Sequence, residues 1–407
     1  MNCERRISLF WELSSITIIP TEMKNFPSLT LTAFLFASMI QAGAHTVADN
    51  GITSLEENRR PLERVLLQIP DIGGFVTLKC DLHMHTVFSD GLVWPTTRVQ
   101  EAWFEGLDAI CITDHIEYQP HKKDIPTNHN RSYEIARGSA KMGNILLVKG
   151  SELTRDTPPG HFNAIFIGDA SDYLEEKGSL ELDKKAIEKA AAQDAFIFWN
   201  HPGWKASSIE GSYEWIPFVD ELKKAGNLHG IEVINGFRFH RKALDWALEN
   251  DLTVMGSSDV HNSIDYDYDM QKGVHRSMTL VFAKDRSAEG IREALDQRRT
   301  VAWSTKLLAG SEKWVRALYE GSVTVGKAYS TDKRGTSYAE ITNTSDFYFE
   351  LQRMDPDQED WPENISLNPQ TSRVLKFKAD PKTKSVSYKV TNAYIGGDRN
   401  LVVEISN

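Results

Sequence analysis

The 407-residue sequence has three cysteines, Cys3, Cys80 and Cys111, too few for a disulfide framework to hold the fold. Basic residues are in deficit: 46 Lys and Arg against 57 Asp and Glu leave a formal charge of -11. Duplex binders gain affinity from cationic surface that displaces counterions, so no nucleic-acid duplex is expected as a partner. The chain has no internal repeat, and its apolar N-terminal stretch is too short for a comfortable membrane span. What is present is ordinary for a globular protein: 41% hydrophobic and 25% charged residues, with length for one large domain and a small one.

The N-terminus reads as a targeting signal that starts late. Met23 and Lys24 precede an apolar stretch from Ser28 to Ile40, and the small residues Ala42, Gly43 and Ala44 suit a cleavage site. The expected product is a secreted or periplasmic protein with no membrane span after removal of the signal. Residues 1–22 are an upstream extension and 45–73 an N-terminal segment; the rival reading is a buried helix or retained anchor. Cys80 and Cys111 lie in apolar strand-like runs, where cysteine behaves as a small hydrophobe, and an exported protein leaves one disulfide between them possible.

From residue 74 to 309 short apolar runs alternate with helical periods. "FVTLKCDL", "DAICITD", "ILLVKGSE", "HFNAIFIG", "AFIFWNH", "GIEVIN", "LTVMGSSD" and "MTLVFAK" each suit a strand buried on both faces. "ELDKKAIEKAAAQ" and "HRKALDWALEN" carry apolar faces at helical spacing. Repeated strand-then-helix order predicts an α/β fold with a parallel sheet, and seven or eight units fit a closed or nearly closed barrel. After a helix and linker at 310–335, residues 336–407 alternate polar and apolar positions between Asp, Pro, Gly and Asn turns, which predicts a small all-β sandwich-like module.

The chemistry sits where those strands end. "LKCDLHMH" delivers His83 and His85, "AICITDH" Asp114 and His115, "LLVKGSE" Glu152, "FIFWNHPG" Asn200 and His201, and "VMGSSDVH" Asp259 and His261; loops add Asp90 and His161. Alternating strand side chains let His83 and His85 reach one ion from the same side. An HxH alone is weak, because core or solvated histidines explain it as well. Many strand ends bearing His, Asp or Glu are harder to explain so, and a mixed imidazole and carboxylate set suits divalent Zn, Mn or Fe.

In order, "DLHMHTVFSDG", "AICITDH", the Glu of "GSE", the His of "NHPG" and "SSDVH" resemble the successive motifs of the PHP (polymerase and histidinol phosphatase) metal-dependent phosphoesterases. The exported form with a β tail looks most like the phosphodiesterase-like branch sometimes labelled Sb-PDE. The resemblance implies a distorted (β/α)7 barrel with two or three divalent metal ions at the strand C-termini. It implies His83, His85, Glu152 and Asp259 around a first metal, with Glu152 bridging to a second held by His161 and His201. It implies Asp90, His115 and His261 at a third. His201, Glu152 and Asp259 are then the expected catalytic residues, and Asp114 an orienting partner rather than a ligand.

Such a cluster would generate hydroxide from bound water near neutral pH and offset charge on a phosphoryl group, hydrolysing a small phosphate mono- or diester without a protein nucleophile. Arg155, Lys205 and Arg276 are candidate phosphate contacts, and Phe88, Trp199 and Trp204 candidate stacking partners, although such residues are more often surface charge and core packing. Two rivals are amidohydrolase-type cleavage of C–N or C–O bonds, which also uses HxH on a barrel strand, and a non-catalytic surface or glycan-binding protein with structural metal.

Overall fold

The computed structural model describes residue 55 and residues 63–172, 178–205, 213–378 and 385–406. The expected signal at 23–44 and Cys3 lie outside them. The order begins β1 (Val76–Asp81), α1 (Pro95–Phe104), β2 (Ala109–Ile112), α2 (Arg131–Met142), β3 (Leu146–Leu153), β4 (Phe162–Ile165), α3 (Leu180–Ala191) and β5 (Phe196–Trp199). It continues α4 (Pro217–Lys224), β6 (Gly230–Asn235), β7 (Arg238–Phe239), α5 (Arg241–Glu249), β8 (Thr253–Ser257) and α6 (Ile264–Asp267). Next come β9 (Met278–Ala283), α7 (Ala288–Asp296), β10 (Thr300–Ser304), β11 (Leu307–Gly310) and α8 (Glu312–Ser322).

β2, β4, β5, β6, β8 and β9 are buried along their whole lengths, because helices or strands cover both faces. α3 buries Ala186, Ile187 and Ala190, and Ser179 Oγ caps it by accepting from Leu182 N–H. Cys80 and Cys111 are buried free thiols in one apolar cluster with Phe196 and Phe198, so the disulfide allowed by the sequence does not form between them.

Neighbouring strands run β1–β2–β3–β4–β5–β6–β8, and parallel pairing of Met84 with Val260 brings the two ends of the run together. This closes the ring through His85 N–H to Val260 O at 3.1 Å and Asp259 N–H to His83 O at 3.0 Å. The result is an α/β, mostly parallel seven-stranded distorted barrel. Below the closure β1 leaves β8 and ladders antiparallel with β9, so the "MTLVFAK" run flanks the barrel instead of adding an eighth stave. There β8 is held by hydroxyls: Thr279 Oγ1 bonds Gly256 N and O at 2.9 and 2.8 Å, and Thr300 Oγ1 donates to Val254 O at 2.7 Å. A Cβ on Gly256 would lie 2.8 Å from both Ala302 Cβ and Met278 O, so this close approach requires glycine.

One strand departs from the parallel expectation. β4 is antiparallel to β3 and to β5, because the loop from Thr154 to His161 is too short to carry a parallel crossover, which takes a dozen or more residues. The reversal puts the beginning of β4, and His161 with it, at the rim where β3 and β5 end.

The chain finishes with β12 (Val323–Val325), β13 (Ser330–Thr331), β14 (Thr336–Asn343), β15 (Phe349–Arg353), β16 (Asn364–Leu367), β17 (Thr371–Lys378), β18 (Ser385–Tyr394) and β19 (Asn400–Ser406). These form two facing sheets with alternating burial, as in β14 and β19. The segment expected to be linker supplies β12 and β13, both paired with β14. β18 pairs in parallel with β11, so the module continues the barrel's flanking strands. No helix among the described residues is long and apolar enough to cross a membrane.

Candidate metal centre

All nine candidate ligands gather at the closure rim. His83 and His85 extend β1 onto the same side and are fully buried. Between them and Asp90 the chain folds tightly, with Ser89 N–H and Gly91 N–H both donating to Thr86 O at 3.0 Å. Any Cβ on Gly91 would sit 2.6 Å from the His85 carbonyl carbon. Glycine therefore lets the "SDG" turn bring Asp90 over His85.

The first group is built on two imidazoles, each close to two carboxylates. His83 Nε2 and His85 Nε2 are 3.1 Å apart, Glu152 Oε2 lies 3.4 and 3.3 Å from them, and Asp259 Oδ1 3.2 and 3.1 Å. Tetrahedral ligands about 2.0 to 2.1 Å from a zinc-sized ion stand about 3.3 Å from one another, so the mutually close His83, His85 and Asp259 atoms fit three ligands of one cation. Glu152 also reaches the second group: Oε1 lies 3.0 Å from His161 Nδ1 and 3.5 Å from His201 Nε2. In the third group Asp90 Oδ1 lies 3.2 Å from His261 Nε2 and 3.5 Å from His115 Nε2. Glu152 Oε2 and Asp90 Oδ1 are buried with no well-formed hydrogen bond, although imidazole nitrogens surround them. Buried acceptors converging on shared points are what cations would satisfy. The residues present therefore fit divalent metal ions.

Hydrogen bonds behind the rings decide which nitrogen faces the centre. Carboxylates and carbonyls only accept, so His83 Nδ1–H donates to Glu232 Oε1 and His261 Nδ1–H to the Asp259 carbonyl, both at 2.8 Å. Ser89 Oγ donates to Asp114 Oδ1 at 2.9 Å, which leaves it to accept from His85 Nδ1–H at 3.3 Å. In their neutral forms all three rings thus aim a lone pair at the centre. Asp114 orients His85 as expected and is fixed by Thr86 N–H at 2.6 Å.

Glu232 escaped the sequence reading. It is fully buried and also accepts from His201 N–H and Asn235 Nδ2, both at 2.9 Å. Its signal was an acid inside the apolar run "GIEVIN". Asn200 Nδ2 donates to Glu152 Oε1 at 2.8 Å, and Asn235 Nδ2 to Asp259 Oδ2 at 3.2 Å. His201 and Asp259 have left-handed backbones, with φ of 27° and 51°, at a cost of about 1–3 kcal/mol each.

The field inside the cluster is uneven. Burial, with His261 and His115 nearby, pushes the His85 pKa down to about 3. Burial also acts against charge on Glu152 and Asp259, but surrounding histidines, His115 and His83 foremost, hold both carboxyls well below the usual range. For His261, burial is outweighed by the adjacent Asp90 carboxylate and the Asp259 charge, which raise it to about 9. His83 is raised well above its ordinary value, burial being overcome by Asp259, Glu232 and Glu152.

The three basic candidates separate. Lys205 lines the cavity of about 430 Å³ above the centre, beside Trp204 and Tyr118. Arg155 forms part of its wall, but its buried guanidinium lies 2.5 Å from Glu117 and 3.6 Å from Asp183. Arg276 is corrected: it is fully buried and joined to Asp81, at 3.1 Å, and to Glu105. An arginine neutralised beneath the rim supports the barrel and has no access to substrate. Trp199 is buried core, donating Nε1–H to Pro159 O at 2.9 Å, and Phe88 is buried too, whereas Trp204 is exposed at the mouth.

Residues 81–354 match the PHP domain family, and residues 323–406 match an Ig-like domain. A solved two-domain protein from Bacteroides vulgatus, described as containing a predicted PHP-like metal-dependent phosphoesterase, is 44% identical with a TM-score of 0.80. The match covers 85% of this chain and 99% of that one. An uncharacterized protein of Methanocaldococcus jannaschii is 33% identical over 81 residues, 20% of this chain, which spans only 36% of that relative's length. An amidohydrolase structure from Chromobacterium violaceum matches at 15% identity over 45% of this chain and 87% of that one. Its TM-score of 0.35 is too low to bear on chemistry.

Proposed function

The chain belongs to the PHP domain family, and from that membership we propose that it is a metal-dependent phosphoric ester hydrolase acting on a small phosphate mono- or diester. The observation that carries the reading is that Glu152 Oε2 and Asp259 Oδ1 each lie 3.1–3.4 Å from both His83 Nε2 and His85 Nε2, which are themselves 3.1 Å apart. Divalent ions such as Zn, Mn or Fe, when bound, supply Lewis acidity that makes water nucleophilic near neutral pH and offsets phosphoryl charge. Water oxygen bonds to phosphorus as the ester P–O bond breaks, and the departing oxygen leaves as an alcohol or phenol with a proton.

The protein's part is positioning. His83, His85, Glu152 and Asp259 would hold a first ion, and Glu152 with His161 and His201 a second, so one buried carboxylate would serve both. Asp90, His115 and His261 would hold a third. Glu152, Asp259 and His201 carry the reaction because they stand where the groups meet: Asp259 Oδ2 is 3.8 Å from His201 Nε2. Lys205 at the mouth binds a phosphoryl oxygen, and Arg155 in the wall adds positive potential. Export to the periplasm or beyond rests on the apolar stretch before Ala44.

Elemental analysis of the purified protein, with a screen of aryl phosphate mono- and diesters with and without manganese, tests the proposal. The expected result is at least two divalent ions per chain and ester hydrolysis abolished in the His83→Ala, Asp259→Ala double variant. Hydrolysis that survives this change, or cleavage of amides or lactones and of no phosphate ester, refutes it.

A further inference from the structure

A second cavity opens on the same centre. It measures about 370 Å³ and is bounded by Asn235, Phe237, Arg238, Asn262, Asp267 and Tyr268. Asp259, His261 and Trp204 belong to both this cavity and the one of about 430 Å³ above the ligands. The metal-binding rim is thus a ridge between two chambers, each large enough for a ring-sized group. A monoester has one organic arm and needs one chamber; two chambers meeting at the reacting centre suit phosphorus with an arm on either side.

The walls say what the second arm is. Phe237 is 71% exposed, yet its inner face is packed on the buried Tyr268 ring with centroids 4.7 Å apart. Trp204, 39% exposed, stands on the side shared with the first chamber. An open aromatic face held rigid by a ring behind it is a platform for another flat ring. Arg238 is exposed beside it, and no carboxylate among the described residues lies within ion-pair distance of its guanidinium. It is therefore available to donate to polar substituents on that ring.

Resting on the hydrolase reading above, we propose that this chamber is a subsite for the second arm of a phosphodiester, and that the arm is a flat ring with acceptor substituents seated on Phe237 and reached by Arg238. Hydrolysis then consumes one water and one diester and yields a monoester and an alcohol or phenol.

The test compares kcat/KM of the manganese-loaded full-length protein on bis(4-nitrophenyl) phosphate and on methyl 4-nitrophenyl phosphate, which share a leaving group and differ in the other arm. The wild type should prefer the bis-aryl ester about tenfold, and Phe237→Ala and Arg238→Ala should each cut that preference about fivefold, chiefly through KM. Circular dichroism and bound metal confirm that both variants are folded and loaded. Hydrolysis of both esters at equal efficiency, or a preference untouched by Phe237→Ala, overturns the subsite while leaving the hydrolase standing. Failure of the wild type to cleave any phosphate ester removes both.

Discussion

Replacement of Glu232 by glutamine separates a residue that orients a ligand from one that merely fills space. Glu232 Oε1 accepts from His83 Nδ1–H, and Oε2 accepts from both His201 N–H and Asn235 Nδ2. A glutamine has one accepting oxygen. Turned toward His201 and Asn235, it satisfies two donors and points its amide NH2 at His83; the other orientation sets the amide against both donors and is worse. The favoured rotamer forces His83 to accept at Nδ1, which moves its proton to Nε2, the atom facing the first ion. Partners behind metal ligands typically control affinity by 10- to 100-fold, or about 1.4–2.7 kcal/mol. Glu232→Gln should therefore fold and yet bind the first ion 10- to 100-fold more weakly in a chelator competition titration, with activity falling in parallel at limiting metal. Nitrogen NMR of the His83 ring should report the exchanged tautomer. Glu232→Ala, which strands three buried donors, should instead lose about 3–5 kcal/mol of stability in urea denaturation. Wild-type metal affinity in a folded Glu232→Gln protein would refute the reasoning.

The cations should also compete with protons. His261 and His83 hold raised pKa values without metal, His261 at about 9, so each ion bound there expels protons and affinity should fall as pH drops below 9; isothermal titration in buffers of different ionisation enthalpy measures the release. Arg276→Met should cost about 3–5 kcal/mol of stability, because it leaves Asp81 and Glu105 buried without their cation, and should leave KM for phosphate esters unchanged. A raised KM in a folded protein would restore Arg276 as a phosphate contact. Gly256→Ala, whose methyl meets Ala302 and Met278 at 2.8 Å, should lower the thermal midpoint through about 1–3 kcal/mol of overpacking, read by calorimetry.

The sequence determined much of this protein by itself. Apolar runs of strand length separated by helical periods specified the barrel, because strands covered on both faces have no polar positions to spare. Imidazoles and acids at the ends of those runs were legible as one centre, since strand ends of such a barrel share a rim. The alternation after residue 336 equally announced a sandwich. Tertiary structure decided what depends on partners distant in sequence. Only the short loop after β3, seen with both neighbours, shows that β4 runs backwards and delivers His161 from its beginning. The burial of Glu232 against His83 made an acid the sequence did not single out a ligand's anchor, and that of Arg276 against Asp81 and Glu105 turned an apparent phosphate clamp into a strut. A side chain's type sets what it can bond, but its role is fixed by which groups the fold sets against it, and contacts 149 to 195 residues apart in sequence leave no local pattern.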